Sequence, residues 1–543
     1  MKVPTQNRPV VRPSIVDGPP LTLPPGAPET LAEVLRRVSE EAHPGDVVRV
    51  GKAEGEVVLD YAGVRSRAER ILGGLRARGA EPGDRIVLQV EAAEEFVCAL
   101  WACILGGFTA VPAGVPAPDG GGQAALRLRD LWTTLDAPRV LAGTGLGRPV
   151  RDLLGGAACV AEVAELAEHA PDPLWHPSPP EAVALLLLSS GTTGRPKLIR
   201  RTHLNLLRIC QATIAAAGLA GRRITFLNWL PLDHNAALTA SLTLLASGAR
   251  QVHLRTADVL EDPERWLDAL HRFRVSHTGG TNYSLGLING RLATAGKRDW
   301  DFSGVERITV TAEPVVARTV RVFLEHMAPY GLRPEALRTS YGMSETGGIT
   351  RLTESRLDGD ADGDAFMEVG APFPGISVRV VDAQGRVVPE GREGRIQVAG
   401  DTVTPGYDGD PEQTRESFTE DGWFDTGDGG FLRGGSLTIT GRDKDVLIVN
   451  GLNFQSQEIE AAVDEVRGVE RGSTAVCAVR APGSDSDAAA VFLHTALTGA
   501  EERAALRREV RRAVAARFGA TVAHVLLVAP GEIPRTSRGK VQR

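Results

Sequence analysis

From about Glu29 to Val491, apolar positions alternate between two spacings. "YAGVRSRAERILGGLRARG" (61–79) repeats apolar residues at helical intervals and ends on glycine, which predicts a helix. "DRIVLQV" (84–90) predicts a buried strand and "EEFVCALWACILGG" (94–107) a second helix. "EAVALLLLSS" (181–190) is apolar on both faces, the pattern of a strand inside a parallel sheet. Strands alternating with helices predict an α/β protein. Such sheets place ligands at the C-terminal ends of their strands. The glycine-rich stretch after 181–190 stands at one of these ends.

The pattern changes near "TGRDKDVLIVNG" (440–451), which predicts a domain boundary. Beyond it come a strand at 446–449, an Asn450-Gly451 hairpin turn and a helix over 456–466. Strands at 474–480 and 488–496 follow. Then comes the helix "EERAALRREVRRAVAARF" (501–518), with Leu506, Val510 and Val514 on one face, and a last strand, "HVLLVAP". About 100 residues suffice for a small α+β domain. The expected division is a loose proline-rich leader (1–28), a large domain (29–440), a hinge (441–444) and a small domain (445–543).

Composition narrows the function classes. A chain of 543 residues exceeds one core. A net charge of −7 gives no reason to expect nucleic acid or a membrane surface as partner. No apolar run approaches the roughly 20 residues of a bilayer span, and the first residues lack the apolar stretch of a signal peptide. Cys98, Cys103, Cys159, Cys210 and Cys477 are scattered, without metal spacing, as expected for reduced thiols in a cytoplasmic protein. Of 61 basic residues only six are lysine: Lys2, Lys52, Lys197, Lys297, Lys444 and Lys540. In so arginine-biased a chain, a retained lysine marks a place where a compact ammonium is needed, although some are ordinary surface residues.

"SSGTTGRPK" (189–197) explains one of them. Gly191 and Gly194 let the backbone approach a ligand and turn consecutive N–H groups to one side. Ser189, Ser190, Thr192 and Thr193 add hydroxyls and Lys197 adds charge, making a cradle for a polyphosphate. A solvent-exposed turn is the plainer reading, against which the buried strand before it and the lysine after it argue. The spacing is not that of a Walker loop.

This stretch resembles the phosphate loop of the adenylate-forming superfamily: acyl-CoA synthetases, peptide-synthetase adenylation domains, and aryl-acid and fatty-acyl AMP ligases. Further motifs follow in that family's order to the end of the chain. "NWLPLDHNAALTA" (228–240) resembles the gate over the carboxylate site, with His234 at the gate position. "TAEPV" (311–315) resembles the loop covering adenine, through Ala312, Glu313 and Pro314. "TSYGMSETGG" (339–348) resembles the family signature. It implies Tyr341 on adenine, Gly342, Met343 and Ser344 at the nucleotide with Ser344 on the α-phosphate, and Glu345 holding Mg2+. "GWFDTGD" (422–428) implies Asp428 on both ribose hydroxyls, supported by Arg442. Lys444 falls at the hinge position, and Lys540, in "IPRTSRGKVQR", at the catalytic lysine.

The resemblance implies a fold of layered sheets and helices in the large domain, with a mobile small domain that closes to deliver Lys540. It implies ATP with Mg2+, attack of a carboxylate on the α-phosphorus, and release of pyrophosphate. A rotation about Lys444 then presents the loop 449–455 and opens a path for a thiol. Amino-acid-activating domains place an aspartate after the gate to pair with an α-ammonium; Asn235 stands there instead, and an amide carries no charge to do so. Hydroxybenzoate ligases resemble this segment. Other stretches, including "SHTGGTNYSLGLING" (276–290), resemble acyl-loading domains of polyketide–peptide systems, which usually have tryptophan at Gly279. The remaining implied pocket positions are Ala236, Thr239, Thr278, Thr309, Thr311, Ser340, Gly348 and Ile349. This small, hydroxyl-rich set favours a small polar, hydroxylated or aryl acid over a long fatty acid, though threonines also satisfy themselves on nearby backbone.

The expected acceptor is a phosphopantetheine thiol of an acyl or peptidyl carrier protein, with free coenzyme A or an amine as alternatives. With three residues after Lys540, a separate carrier is expected. Arg507, Arg508, Arg511 and Arg512 either meet an acidic carrier or form a solvated face. A rival of another class is a non-catalytic nucleotide-binding protein on the same fold.

Overall fold

The computed structural model describes residues 12–41, 45–51, 55–116, 122–157, 159–189, 197–293, 296–311, 315, 317–350, 353–354, 367–442, 446–449, 452–470, 473–480, 488–530 and 532–533. Three large sheets hold most of the strands among the described residues. The first orders its strands Val160–Glu162, Arg139–Ala142, Arg85–Gln89, Thr109–Pro112, Val183–Ser189 and Lys197–Thr202. All neighbours are parallel except the last pair, where Val183–Ser189 turns back on itself into Lys197–Thr202. The strand of four leucines is thus parallel on one side only.

The second sheet runs Thr353–Glu354, Leu337–Thr339, Arg307–Val310, His277–Gly280, Thr225–Asn228, Arg250–Leu254, Asp46–Val50 and Glu56–Asp60. Its centre is parallel and its two outermost pairings are antiparallel. The helices Tyr61–Ala77 and Ala93–Gly106 fill the main apolar core together with the first sheet. Asp60 caps the first of these helices by accepting from the Gly63 N–H. Gly107 ends the second at φ 71°, a left-handed conformation suited to glycine. Tyr61 ties the two layers together. Its hydroxyl donates to the Ala249 carbonyl at 2.5 Å and accepts from Gln251 Nε2 at 2.9 Å.

The third sheet corrects the expectation of alternation through to Val491. Ile15–Asp17, Ile376–Val381, Gly394–Gly400, Phe424–Arg433, Ser436–Arg442 and Glu368–Gly370 pair antiparallel throughout. Its membership also corrects the reading of 1–28 as a loose leader, because Ile15–Asp17 is an edge strand against Ser377–Arg379. Glycine shapes the sheet interior: a Cβ on Gly430 would stand 2.3 Å from the Thr438 carbonyl.

After Arg442 the strands no longer join these sheets. Val446–Val449 pairs with Leu452–Gln455, so most of the stretch expected as a loop, 449–455, is strand. Thr474–Val479, Ala488–Leu493 and Val522–Leu527 form a three-stranded sheet. Helices Ser456–Asp464 and Ala500–Phe518 pack on it around Val463, Val491, Val510 and Val514. Arg507 and Arg511 lie along this sheet's edge. Arg507 Nε donates to the Val525 carbonyl, and Arg511 to the carbonyls of Val522 and Ala523. Arg512 pairs with Glu509. Most of the arginine cluster thus makes contacts within its own domain, while Arg508, Arg511 and Arg512 remain exposed. The five cysteines are free thiols. Among the described residues no helix is long and apolar enough to cross a membrane.

Tyr61→Phe removes one buried donor and one buried acceptor at once. The expected cost is about 1–3 kcal/mol, read as a lower urea midpoint at unchanged slope. Buried histidines set an acid limit. Burial lowers the pKa of His203, His253 and His277 to about 4, while an unfolded imidazole takes a proton near pH 6.5. Between these values the unfolded chain binds more protons, so stability falls as pH drops from 6.5 to 4. The unfolding midpoint should follow, with a shallower slope in His253→Asn.

Candidate functional site

The sequence of the signature stretch dictates a tight hairpin. Gly342–Met343 pairs antiparallel with Gly347–Gly348, and Gly347 adopts φ 73°. A Cβ on Gly342 would lie 2.3 Å from the Gly347 carbonyl, so only glycine allows this approach. The hairpin tip presents Ser344 and Glu345. Glu345 is buried; its Oε1 accepts from the Tyr407 hydroxyl at 3.1 Å and its backbone carbonyl from the Thr404 N–H at 2.7 Å.

Tyr341 precedes the hairpin. Its N–H donates to Thr350 Oγ1 at 3.0 Å, and its hydroxyl to Asp428 Oδ2 at 2.5 Å. Asp428 is 2% exposed, on the strand Phe424–Arg433. Arg442 is its cross-strand partner in register, so the two residues expected at the ribose stand opposite each other.

On the other side lies the helix Asn235–Ala246, capped by His234, whose Nδ1 accepts from the Ala236 N–H at 3.4 Å. The His234 ring reaches solvent yet is closely surrounded by protein, as in the wall of a cleft. That crowding lowers its pKa, opposed by the neighbouring Asp233 carboxylate, so the ring is neutral at neutral pH. Desolvation likewise raises Asp233. Asn235 is buried, and its Nδ2 donates to the Met343 carbonyl at 3.3 Å, joining the helix start to the hairpin. Asn235 Oδ1 has no hydrogen-bond partner among the described residues.

The other expected pocket positions divide. Gly279 and Thr309 are register partners in the second sheet. Among the described residues, a Cβ on Gly279 would meet only the Thr309 carbonyl at 3.5 Å and Phe226 Cζ at 3.9 Å, so this spot has room there. Thr311 and Ser340 are half-buried at the ends of neighbouring strands, their N–H groups bonded to the Gly280 and Val310 carbonyls. Two of these positions are closed to solvent. Thr278 is fully buried, and its hydroxyl donates to the Leu227 carbonyl and accepts from Trp266 Nε1. Ile349 is fully buried in the third sheet's apolar core. Thr239, one turn into the helix, is self-satisfied: its hydroxyl donates to the Asn235 carbonyl at 2.7 Å. Gly348 backs onto Phe373, which a Cβ would approach to 2.5 Å. The hydroxyl-rich set thus offers fewer open donors than its composition implies.

Ser190, Gly191, Thr192, Thr193, Gly194, Ala312, Glu313, Pro314, Lys444 and Lys540 lie outside the described residues. Ser189 is the last residue of its strand and pairs in register with Lys197. Lys197 Nζ lies 5.0 Å from the centre of the Tyr407 ring.

Sequence reasoning missed two residues beside this cluster. Tyr407 lies in "TPGYDGD" (404–410), which reads as an ordinary turn. Arg201 follows Arg200 on the strand Lys197–Thr202, where period-two alternation sends one of the pair inward. Arg201 is fully buried, with Nη1 donating to the Thr402 carbonyl at 2.6 Å. Burial lowers its pKa to about 10, and the Glu345 charge pulls it back up.

Comparison with known proteins agrees with this arrangement. Residues 37–408 match the family described as AMP-binding enzyme. A putative acyl-CoA synthetase of Caulobacter vibrioides is 31% identical over 519 residues, 90% of either chain. Aspulvinone E synthetase melA of Aspergillus terreus is 30% identical over 476 residues, which are 85% of this chain and 51% of that protein. The chain thus spans about half the length of this fungal synthetase. Among solved structures, McyG A-PCP complexed with phenylalanyl-adenylate is 32% identical, with TM-score 0.77, covering 97% of this chain and 83% of that one. The adenylation domain of a keto acid-selecting nonribosomal peptide synthetase module, bound to keto acyl adenylate, is 29% identical with TM-score 0.75, covering 97% and 98%. The chain belongs to the AMP-binding enzyme family and is an adenylate-forming ligase.

Proposed function

We propose that the enzyme activates a carboxylic acid lacking an α-ammonium, an aryl or 2-oxo acid by preference, and passes the acyl group to a phosphopantetheine thiol of a carrier protein. The observation that carries the acid class is Asn235. A neutral amide, anchored on the Met343 carbonyl, stands where an ammonium would need a carboxylate. The neutral His234 ring beside it adds no charge, and the open position at Gly279 leaves space for a ring. The similarity to a keto acid-selecting domain supports the same class. The self-satisfied hydroxyls of Thr239 and Thr278 remove the earlier argument for a small polar acid.

In the reaction the carboxylate oxygen bonds to the α-phosphorus of ATP, and the bond to pyrophosphate breaks. Two anions must meet, so the site must supply positive charge. Lys197, the N–H groups of 191–194 and Lys540 are assigned that work, with Lys540 also orienting the two reactants. Glu345 fits Mg2+ because a carboxylate offers the hard oxygen donors this ion prefers. Among the described residues no group of three His, Cys, Asp or Glu side chains could hold a metal alone, so phosphate oxygens would complete the shell. Mg2+ bound there neutralises phosphate charge. Asp428 already accepts from Tyr341; ribose hydroxyls would take over as donors while the Tyr341 ring packs on adenine.

Acid-dependent exchange of pyrophosphate into ATP tests this reading. A panel of aryl, 2-oxo, medium fatty and α-amino acids should give exchange with an aryl or 2-oxo acid and background with amino acids. An amino-acid winner would overturn it. Asn235→Asp should lower exchange at least about tenfold, since it places a second anion beside the substrate carboxylate. Mass spectrometry of a carrier protein and of coenzyme A, each offered with the preferred acid, identifies the acceptor. Lys540→Ala should lose about 10²–10³-fold in adenylate formation with ATP binding retained. A nucleotide-binding protein without activity would show no difference.

A further inference from the structure

The segment Asp401–Asp408 belongs to no sheet, yet it is pinned at nearly every residue. Asn205 Nδ2 donates to the carbonyls of Asp401 and Val403. Arg201 holds Thr402, and Arg200 Nη2 donates to Pro405 at 3.1 Å. The backbone of the strand Lys197–Thr202 takes part as well: the Arg200 N–H donates to Gly406, the Leu198 carbonyl accepts from Asp408, and Ile199 bridges Tyr407. Tyr407 N–H donates to Thr414 Oγ1 at 2.9 Å. The ring that results is 6% exposed and rigidly placed. Its hydroxyl meets Glu345 and its face meets Lys197.

We infer that Tyr407 is a positioning residue: one buried phenol holds both the carboxylate assigned to the metal and the lysine assigned to the phosphates. This rests on the assignment of Glu345 to Mg2+. A tyrosine hydroxyl is protonated at neutral pH and so donates to the carboxylate it faces. A donated hydrogen bond fixes the carboxylate's rotation and takes up Oε1, leaving Oε2 to turn toward a cation. The ring face attracts Lys197 without neutralising it, because a quadrupole carries no net charge. A carboxylate in the tyrosine's place would form a salt bridge with the lysine and withdraw it from the phosphates. The neutral phenol orients two opposite charges and quenches neither.

The two halves of the contact can be separated. Tyr407→Phe keeps the ring and loses the hydroxyl; Tyr407→Leu loses both. Calorimetric titration of ATP, once in EDTA and once across a Mg2+ series, reads nucleotide affinity and metal requirement apart from turnover. Tyr407→Phe should raise the Mg2+ needed for half-maximal enhancement of ATP binding about tenfold, the usual effect of removing a partner that orients a metal ligand. Its affinity for ATP in EDTA should stay near wild type. Tyr407→Leu should weaken ATP in EDTA as well. Glu345→Gln serves as reference: its Mg2+ response should be lost, and adding Tyr407→Phe should then change nothing further. An unchanged Mg2+ response in Glu345→Gln would refute the metal assignment itself. A normal response in Tyr407→Phe, with Glu345→Gln impaired, would refute the inference alone. Equal weakening of ATP with and without Mg2+ in Tyr407→Phe would reduce the residue to a packing role and also refute it. Thermal melts show which variants are folded; should Tyr407→Leu unfold, Tyr407→Phe and Glu345→Gln still decide the question.

Discussion

A backbone carbonyl removed from water must find a donor, and that constraint organises this molecule around the segment Asp401–Asp408. The segment leaves the third sheet after Gly400 and crosses to the last strand of the first. Its carbonyls are met by two arginines and an asparagine from 200–205. Asn205 does this while also completing the capping box of the helix His203–Ala217. Two sheets with independent cores are thereby held in a fixed relation. The hairpin bearing Glu345 is tied to the same segment through the Thr404 N–H.

The residues proposed for the acid and those proposed for the phosphates are linked by one chain of contacts. Asn235 reaches Met343 at the base of the hairpin, Glu345 at its tip reaches Tyr407, and the Tyr407 ring faces Lys197. Along this hairpin only Ser344 separates Met343, which Asn235 contacts, from Glu345, which Tyr407 contacts. The buried Arg201 adds fixed positive charge near Glu345. In such a low-dielectric environment charge acts more strongly than at the surface.

Much of the large domain was legible because its elements are long and strongly periodic. The helices 61–77 and 93–106 and the strands 85–89 and 183–189 fall within a residue or two of their sequence patterns. The third sheet was not legible. Its strands are broken by glycines and half-exposed, and Ile15–Asp17 joins it from a proline-rich stretch only through pairing with residues some 360 positions away. Candidate site residues could be named by motif because their spacing is local. Tyr407 and Arg201 were not, because their meaning lies in contacts to Glu345 and Thr402, which no local pattern encodes. The threonines misled in the opposite sense: composition counts hydroxyls, but the nearest carbonyl decides whether a hydroxyl is available.

The arginines along Val522–Leu527 have a consequence for the chain in a crowded solution. An outer strand offers unpaired carbonyls to any passing β-segment, the opening move of strand-by-strand association between molecules. Here guanidinium groups donate to the carbonyls of Val522, Ala523 and Val525 on this outer strand. An incoming strand would have to evict two bulky cations and desolvate them without a partner. Such a strand is a poor template for edge-to-edge pairing.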